Sequence, residues 1–387
     1  MTTELDALRK TVRDFCDREI RPYARDRDRD ESYPEELIPG LAELGILGAA
    51  TPEEYGGAGL DAAGYRVVIE ELGAADSSIR SLVSVNVGLV GKSIARWGTD
   101  EQKQRWLPGL ARGELGAFGL TEPGAGSNPS QMTSRAVRDG DDWVIDGSKM
   151  FITNGSRGAV TKIFARAIVD GEDRGITCFL VPQDAPGYTG RAIHGKLGLR
   201  AGDTAEIVLE GVRVGDDAVL GEVGGGMKVA LSALDDGRFS LASGAAGLAR
   251  EALEVSLRYA EEREQFGSPI ASKQLVQELL AAMHVDIQAC RGLLDQVVAK
   301  LQTGSSSPGA HQPGRATLEI STAKLFCTEA SVRCADRAVQ VHGGYGYVDE
   351  YPVQRMLRDA RVTTLYEGTS QIQHLIIGRM LTGHNAF

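Results

Sequence analysis

The sequence has little that is typical of disulfide-bonded, zinc-binding or membrane-spanning proteins. Its five cysteines are odd in number and include no CxxC pair: Cys16, Cys178, Cys290, Cys327 and Cys334. Neither a disulfide framework nor a zinc site is therefore indicated, and a reducing compartment is expected. The sequence also lacks a run of about 18 apolar residues and an apolar signal region near its charged N-terminus. We expect a cytoplasmic protein with no membrane association.

An excess of positive charge is absent as well. The net charge is -11, whereas a protein that binds nucleic acid needs a basic face for the phosphates. This argues against a nucleic-acid partner but leaves room for a local basic pocket. With 387 residues, of which 42% are hydrophobic and 25% charged, the chain has the composition of a globular protein of two or three domains.

The hydrophobic periodicity changes twice along the chain. Residues 1–116 have apolar residues at helical spacing, beginning with Leu5, Leu8, Val12 and Phe15. Residues 117–226 contain short β-branched and aromatic runs, separated by the turn signals Asp139-Gly140, Asp146-Gly147 and Asp170-Gly171. Helical spacing returns at 227–387. We predict an all-α N-terminal domain (1–116), a β domain (117–226) and a C-terminal helical bundle domain (227–387).

Within the last domain, two long helices are predicted at 273–301 and 316–341. The sequence TGSSSPGAHQPG (303–314) between them cannot continue a helix, because proline and clustered glycine and serine break it. We interpret it as a mobile hairpin tip between antiparallel helices.

Several segments could contact a ligand, although each has a structural interpretation too. In FGLTEPGAGSNPSQM (118–132), glycines allow close backbone approach and Thr121 and Ser127 offer hydroxyls, but a plain loop is the alternative. Phe151 and Thr153 in KMFITNG (149–155) could lie against a planar ring or in the core. The Arg263 guanidinium could form an ion pair with a pyrophosphate, or it could be a solvated surface charge. QVHGGYGY (340–347) could be a helix C-cap.

The segment LYEGTSQIQHLIIGR (365–379) contains the most informative carboxylate. We expect an extended run up to Glu367, followed by the last helix, which Gly368 and Thr369 would open. A carboxylate packed among apolar groups and a flat cofactor would lose solvation, and its pKa would rise, as suits a general base. The alternative is a glutamate placed at a helix start by the helix dipole.

Together, the segments TEPGAGS, KMFITNG, REQFG, QVHGGYGY and YEGTSQIQ resemble the acyl-CoA dehydrogenase family in order and spacing, over nearly the whole chain. The resemblance implies an α+β fold with an all-α N-terminal domain, a central β-barrel-like domain and a C-terminal four-helix bundle. It also implies one FAD per subunit, a homotetramer, an acyl thioester substrate and an electron-transferring flavoprotein as partner.

The resemblance assigns roles by position. Glu367 would be the catalytic base, and its backbone N–H would help to bind the thioester carbonyl. The residues implied to bind FAD are Phe118, Leu120, Thr121, Ser127, Phe151, Thr153, Arg263, Gln265, Phe266, Gln274, Gln340, Gly343, Gly344, Thr369 and Gln371, with the 340–344 segment supplied by a neighbouring subunit. Those implied to bind substrate are Ser127, Asp235, Arg238, Gly368 and Arg80; no metal is expected. Phe151 and Asn128 replace the tryptophan and aspartate common in the family.

Some features are similar to glutaryl-CoA dehydrogenases, in which the arginine matching Arg80 binds a distal carboxylate. The run AADSSIRSLVSVNVGLV (74–90) and the C-terminal residues carry this similarity. However, Gly73 replaces a glutamate of those enzymes, and the 343–361 segment is closer to short-chain enzymes. Arg80 could instead serve a helix end. CoA and carrier-protein thioesters both stay open. The rival functions are a flavin oxidase or monooxygenase on the same fold and an inert thioester-binding protein.

Overall fold

The protein is described by a computed structural model that covers residues 3–303 and 316–385. The first third is helical. Its helices are α1 (Thr3–Phe15), α2 (Ala24–Asp30), α3 (Ile38–Glu43), α4 (Ala62–Ala75), α5 (Ser77–Val83), α6 (Lys92–Trp97) and α7 (Asp100–Arg112), with π-helical segments at Cys16–Ile20 and Ser84–Gly91.

The central part, predicted as a β-barrel-like domain, is a seven-stranded mixed sheet. Its strands are β1 (Gly116–Gly119), β2 (Arg135–Asp139), β3 (Asp142–Thr153), β4 (Val160–Val169), β5 (Glu172–Pro182), β6 (Tyr188–Ala192) and β7 (Thr204–Gly215). The order is β1-β4-β2-β3-β7-β6, and β5 also pairs with β4. Alternating apolar residues of the sheet bury a core in which Trp143 and Phe179 meet edge to face.

Two of the three predicted hairpin turns are confirmed, and one is wrong. Asp139-Gly140 joins β2 to β3, and Asp170-Gly171 joins β4 to β5 with positive φ at both residues. Asp146-Gly147 instead lies inside β3, at a shift in the register with β7. A Cβ at Gly147 would lie 2.2 Å from the Ser134 hydroxyl, so this glycine serves a bulge and a close approach.

The last third is again helical. It contains α8 (Gly226–Glu262), a short hairpin of β8 (Glu264–Gln265) and β9 (Ser268–Pro269), α9 (Gln274–Thr303), α10 (Thr317–His342), α11 (Val353–Thr363) and α12 (Ser370–Thr382). The two long helices predicted at 273–301 and 316–341 are confirmed as α9 and α10. Asp286 pairs with Arg333 and Arg337, which fits an antiparallel arrangement. Residues 304–314 of the predicted hairpin tip lie outside the described residues.

Helix α8 packs closely against α4 through glycines. A Cβ at Gly73 would lie 2.3 Å from the Gly244 carbonyl oxygen, and one at Gly247 would lie 2.0 Å from the Glu70 carbonyl oxygen. Only glycine permits this separation of the two backbones. The contact fixes α4, and thereby the following α5, against the middle of α8. Over the described ranges, no helix combines the length and the apolar character needed to cross a bilayer.

Candidate active site

Glu367 lies in the turn between α11 and α12. Its φ is +57°, and that of Gly368 is +89°, so the chain reverses through two left-handed residues. Thr369 then caps α12 by accepting a hydrogen bond from the N–H of Ile372 at 3.3 Å. The segment before Glu367 is a turn rather than the extended run predicted, because α11 continues to Thr363. The cap is Thr369, so Glu367 is not explained by the helix start.

One carboxylate oxygen of Glu367 is buried and, within the described ranges, accepts no hydrogen bond. The residue keeps part of its surface accessible, but its Oε2 atom is fully buried and has no partner among the described residues. Burial raises its pKa from 4.5 to about 7, against the opposing charges of Arg238, Arg80 and Lys324, while Asp236 adds to the rise. A carboxylate in this state titrates near neutral pH, as a general base should.

Space for this carboxylate comes from Gly237 on α8. A Cβ at Gly237 would lie 2.1 Å from Glu367 Oε2 and 2.7 Å from a methyl carbon of Leu89. The Glu367 carboxylate and the Leu89 side chain therefore lie side by side over this glycine. Any larger residue at 237 would displace one of them.

The turn that bears Glu367 is held by its carbonyl oxygens. Arg238 Nε donates to the Glu367 carbonyl at 3.0 Å, and Gln373 Nε2 donates to it at 3.2 Å. Lys324 Nζ donates to the Gly368 carbonyl at 2.8 Å. Arg238 also pairs with Asp235 at 3.0 Å. The predicted residues Asp235, Arg238, Glu367 and Gly368 are thus brought together in one cluster.

The N–H of Glu367 differs from these carbonyls. It donates no hydrogen bond to any residue within 3–303 or 316–385. An N–H without a protein acceptor beside a buried carboxylate is an available donor for a ligand oxygen.

Arg80 belongs to the same cluster. Only 2% of its surface is exposed, and its Nη2 donates to the Tyr366 hydroxyl at 2.6 Å. None of the described carboxylates forms an ion pair with it, although its charge acts on Glu367. Arg80 lies in the last turn of α5, but the helical backbone continues from Val83 directly into the π-helical segment Ser84–Gly91, so the helix has no free end there. A role in supporting a helix end therefore does not account for this buried guanidinium.

The glycine at position 73 has a packing reason. Because its Cβ would meet the Gly244 backbone, an acidic side chain cannot be accommodated there. A Cβ on Gly244 itself would lie 2.6 Å from Arg80 Cδ. The two glycines thus let the Arg80 side chain lie across α8. On α8, the Ser240 hydroxyl is hydrogen-bonded to the hydroxyls of Tyr65 from α4 and Ser84 from the π-helical segment, at O–O distances of 3.1 and 2.7 Å.

The residues predicted to contact an isoalloxazine lie at the edge of the sheet. The Met150 N–H donates to the Thr121 carbonyl at 2.9 Å, which connects the 118–121 segment to the bulged end of β3. Next in the chain, Phe151 has a φ of +63° and is 69% exposed. A bulky residue in this conformation is strained, and such strain is common at ligand sites. Phe118 and Thr153 are half-buried, Leu120 is buried and Ser127 is exposed.

A second set of predicted residues lies at the far end of α8. Arg263 is the C-cap of α8, and its guanidinium lies 5.4 Å from the ring centroid of Tyr345. Gln265, Phe266, Gln274, Gln340, Gly343 and Gly344 are exposed. Gln371 is also exposed but lies elsewhere, in the first turn of α12 after Glu367. Arg263 follows Arg238 by 25 residues, which at about 1.5 Å per residue corresponds to roughly 37 Å. Within one chain, Arg263 is therefore far from the Glu367 cluster.

Lys324, Gln373 and Gly237 of the cluster were not predicted. Lys324 is fully buried on α10, where burial lowers its pKa to about 8. Gln373 hydrogen-bonds to the Glu367 carbonyl, and Gly237 lies against the Glu367 carboxylate. A lysine in the apolar stripe of a helix was the one available signal for Lys324. The described residues contain no group of His, Cys, Asp and Glu arranged to hold a metal ion.

Comparison with known proteins identifies the family. Models of the acyl-CoA dehydrogenase N-terminal, middle and C-terminal domains match residues 2–114, 117–212 and 224–382. The chain belongs to the acyl-CoA dehydrogenase family. An acyl-CoA dehydrogenase of Bacillus subtilis is 38% identical over 99% of both chains. The mitochondrial short-chain specific acyl-CoA dehydrogenase of Mus musculus is 38% identical over 98% of this chain and 90% of its own.

Solved structures agree with this assignment. A glutaryl-CoA dehydrogenase from Mycobacterium smegmatis in complex with FADH2 has a TM-score of 0.92 at 38% identity, covering 100% of this chain and 96% of its own. Butyryl-CoA dehydrogenase from Megasphaera elsdenii has a TM-score of 0.92 at 36% identity, covering 98% of both chains. The prolyl acyl carrier protein oxidase AnaB has a TM-score of 0.92 at 29% identity, covering 99% of this chain and 100% of its own. The fold is thus shared by proteins named for different substrates.

Proposed function

We propose that this protein catalyses FAD-dependent α,β-dehydrogenation of an acyl thioester, with Glu367 as the base. The observation that carries the proposal is the buried Glu367 carboxylate, whose Oε2 has no partner and whose pKa is raised to about 7. A structural carboxylate at such a position would be paired, because an unpaired buried charge is costly. An acid–base role explains why it is not.

In the proposed reaction, the substrate carbonyl accepts a hydrogen bond from the Glu367 N–H, and the carboxylate of the same residue removes the α-proton. Arg238 and Lys324 hold the two carbonyls of the turn, so the direction of this N–H is set before substrate binds. The charges of Arg238, Arg80 and Lys324 also keep part of the base ionised at neutral pH. The Leu89 side chain lies beside the buried Oε2 of this carboxylate, over Gly237.

The FAD-site residues fit such a cofactor. Gly124 and Gly126 have open space where a Cβ would lie, and Phe151 presents an exposed ring. FAD would supply the hydride acceptor for the β-carbon, a step that belongs to the cofactor itself. We further propose, from the family resemblance, that electrons leave through an electron-transferring flavoprotein.

Anaerobic titration of the purified yellow protein with a panel of acyl thioesters tests this function. We expect a substrate of the right chain length to bleach the oxidised flavin band, because the flavin becomes reduced. An inert thioester-binding protein would bind without bleaching. Release of hydrogen peroxide at the rate of turnover in air would instead favour an oxidase.

A specific observation favours a substrate with a distal carboxylate. Arg80 is buried near Glu367, donates to a phenol, and forms no ion pair with any carboxylate in the described ranges. A buried guanidinium is favourable mainly when it has an anionic partner. A carboxylate at the far end of a glutaryl-like or succinyl-like thioester would be such a partner, whether CoA or a carrier protein holds the acyl group.

Replacing Arg80 with methionine tests whether Arg80 binds a distal carboxylate of the substrate. Loss of a charge-assisted pair costs about 2 to 5 kcal/mol, so kcat/KM for a dicarboxylic thioester should fall by at least about 30-fold relative to a monocarboxylic one of matched length. The ratio is informative because both substrates use the same base. Tyr366→Phe is the matched control, since it removes the 2.6 Å hydrogen bond but keeps the charge. An unchanged ratio in Arg80→Met would exclude carboxylate recognition by this residue.

We also propose that the protein is a homo-oligomer whose FAD is shared between subunits. Within one chain, Arg263 lies far from the Glu367 cluster, because it is roughly 37 Å along α8 from Arg238. Phe266 beside it is 95% exposed on a tight hairpin with a φ of +54°. A neighbouring subunit could present Arg263, Phe266 and the 340–344 segment to the adenine end of FAD.

A further inference from the structure

A buried lysine of the sheet has no role in the reaction as described above. Lys162 lies on β4, opposite Phe118 of β1 in the parallel register, and its side chain is fully buried. Its ammonium lies 5.0 Å from the ring centroid of Phe118 and 5.8 Å from that of Phe164. In the described ranges no carboxylate forms an ion pair with it. Burying an ammonium in this way is costly, so a compensating role is expected.

The hydrogen bond made by Lys162 points to that role. Its Nζ donates to the Leu89 carbonyl oxygen at 2.9 Å. Leu89 belongs to the π-helix Ser84–Gly91, and Ser93 Oγ donates to the same carbonyl at 2.9 Å. π-helical turns leave the regular hydrogen-bond ladder and are frequent at functional sites. Lys162 thus fastens this irregular turn to the sheet, across 73 residues of sequence.

Leu89 connects the lysine to the base. The Leu89 side chain and Glu367 Oε2 converge on the Cα of Gly237, where a Cβ would lie 2.7 and 2.1 Å from them. Leu89 is 4% exposed. Leu89 is therefore an apolar neighbour of the buried Oε2, and we infer that a rotation of the π-helical turn would move this side chain away and expose Oε2 to water.

We propose that Lys162 is a positioning residue for the base: by holding the Leu89 carbonyl, it keeps the Leu89 side chain over the Glu367 carboxylate. The inference rests on the proposed role of Glu367. The buried ammonium of Lys162 would thus act by keeping water from the Glu367 carboxylate and not by contacting substrate.

Other charges also face these groups. Glu367 is faced by Arg238 and Asp236 of α8, Arg80 of α5, Lys324 of α10, and the Tyr65 and Tyr366 hydroxyls; Lys162 is faced by Cys178, Asp236 and Arg96. Two effects of losing Lys162 therefore have opposite signs. Loss of positive charge alone would raise the Glu367 pKa further, whereas entry of water would lower it toward its ordinary value. The sign of the shift identifies the mechanism.

The experiment compares Lys162→Met with Lys149→Met in the FAD-loaded protein. Lys149 is the matched control, because it is also a fully buried lysine of the sheet whose pKa burial lowers to about 8, but its partners are Glu122 and the Phe164 carbonyl. Methionine matches the length of lysine, and Ser93 still satisfies the Leu89 carbonyl in Lys162→Met. Thermal unfolding is followed from pH 5 to 8 in each background, with and without Glu367→Gln.

The difference that Glu367→Gln makes at each pH reports the pKa of Glu367. We expect this pKa to move down by about one unit or more in Lys162→Met, as water reaches the carboxylate, and to stay in place in Lys149→Met. The acid limb of the flavin-reduction rate should move down with it. If Lys162→Met does not fold, Leu89→Ala removes the covering side chain directly and should give the same downward shift.

An unchanged or raised Glu367 pKa in Lys162→Met would overturn the inference, as would an unchanged pKa in Leu89→Ala. Failure of the proposed function has a different signature. In that case Glu367→Gln in the wild-type background would leave the rate of flavin reduction by an acyl thioester intact.

Discussion

At the scale of single residues, the raised pKa of Glu367 has a consequence for stability. The folded protein binds a proton at this site below pH about 7, whereas the unfolded chain does so only below about 4.5. The stabilisation by the protonated form is complete below pH 4.5 and is lost as the pH rises through 7.

Glu367→Gln should therefore be more stable than wild type at pH 8, and the advantage should shrink toward pH 5. The pKa difference sets an upper limit of roughly 3 kcal/mol on this gain. Unfolding midpoints of the two proteins at both pH values measure it. Equal differences at pH 5 and pH 8 would mean that Glu367 titrates normally in the fold.

Sequence patterns could place Glu367 only through the joint order of five motifs. The reason it can act as a base lies in contacts that no local pattern contains. Gly237 makes the space, Lys324 holds the Gly368 carbonyl across 44 residues, and Lys162 reaches Leu89 across 73. At Gly73, the sequence alone showed only that an acidic residue of the glutaryl enzymes is missing. The structure supplies the reason, because α4 and α8 cross so closely at Gly73 that no side chain fits.

At the scale of elements, the helix that bears Arg80 depends on one cap. Asp76 accepts hydrogen bonds from the N–H groups of Ser78 and Ile79 at 2.7 and 3.3 Å, and pairs with Arg355 of α11 at 3.2 Å. Asp76→Ala should lower the free energy of unfolding by about 1 to 2 kcal/mol or more. It should also reduce the dicarboxylic to monocarboxylic ratio of kcat/KM, because Arg80 becomes less well placed.

The control for this prediction is Thr99→Ala. Thr99 forms the capping box of α7 with Gln102 and should cost a similar amount of stability. It contacts no residue of the Glu367 cluster, so the substrate ratio should not change. Equal effects of the two variants on the ratio would count against a placement role for Asp76.

The long helices were predictable because their apolar spacing persists over many turns, as α9 and α10 illustrate. Irregular elements were not. All eight residues of the π-helix at Ser84–Gly91 are buried, so its sequence has no apolar face at helical spacing to predict it. Asp146-Gly147 has the composition of a hairpin turn, yet the strand continues through it as a bulge, since a turn and a bulge both use a glycine with unusual φ.

At the scale of the whole molecule, shared FAD sites would couple cofactor binding to assembly. If Arg263 and the 340–344 segment of a neighbour hold the adenine end, dissociation of the oligomer should release flavin, because both processes share one free energy. Serial dilution followed by sedimentation and flavin fluorescence measures the two together. Monomers that keep stoichiometric FAD would show that each chain binds its own cofactor.

In the proposed reaction, Glu367 removes the α-proton while the flavin is reduced. Anaerobic stopped-flow mixing of the FAD-loaded protein with its best acyl thioester measures this step directly, as the rate at which the oxidised flavin band disappears. Glu367→Gln should keep its FAD and its fold but lower this rate by at least about 10²- to 10⁴-fold, since the proton no longer has an acceptor. If Glu367→Gln bleaches as fast as wild type, Glu367 is not the base.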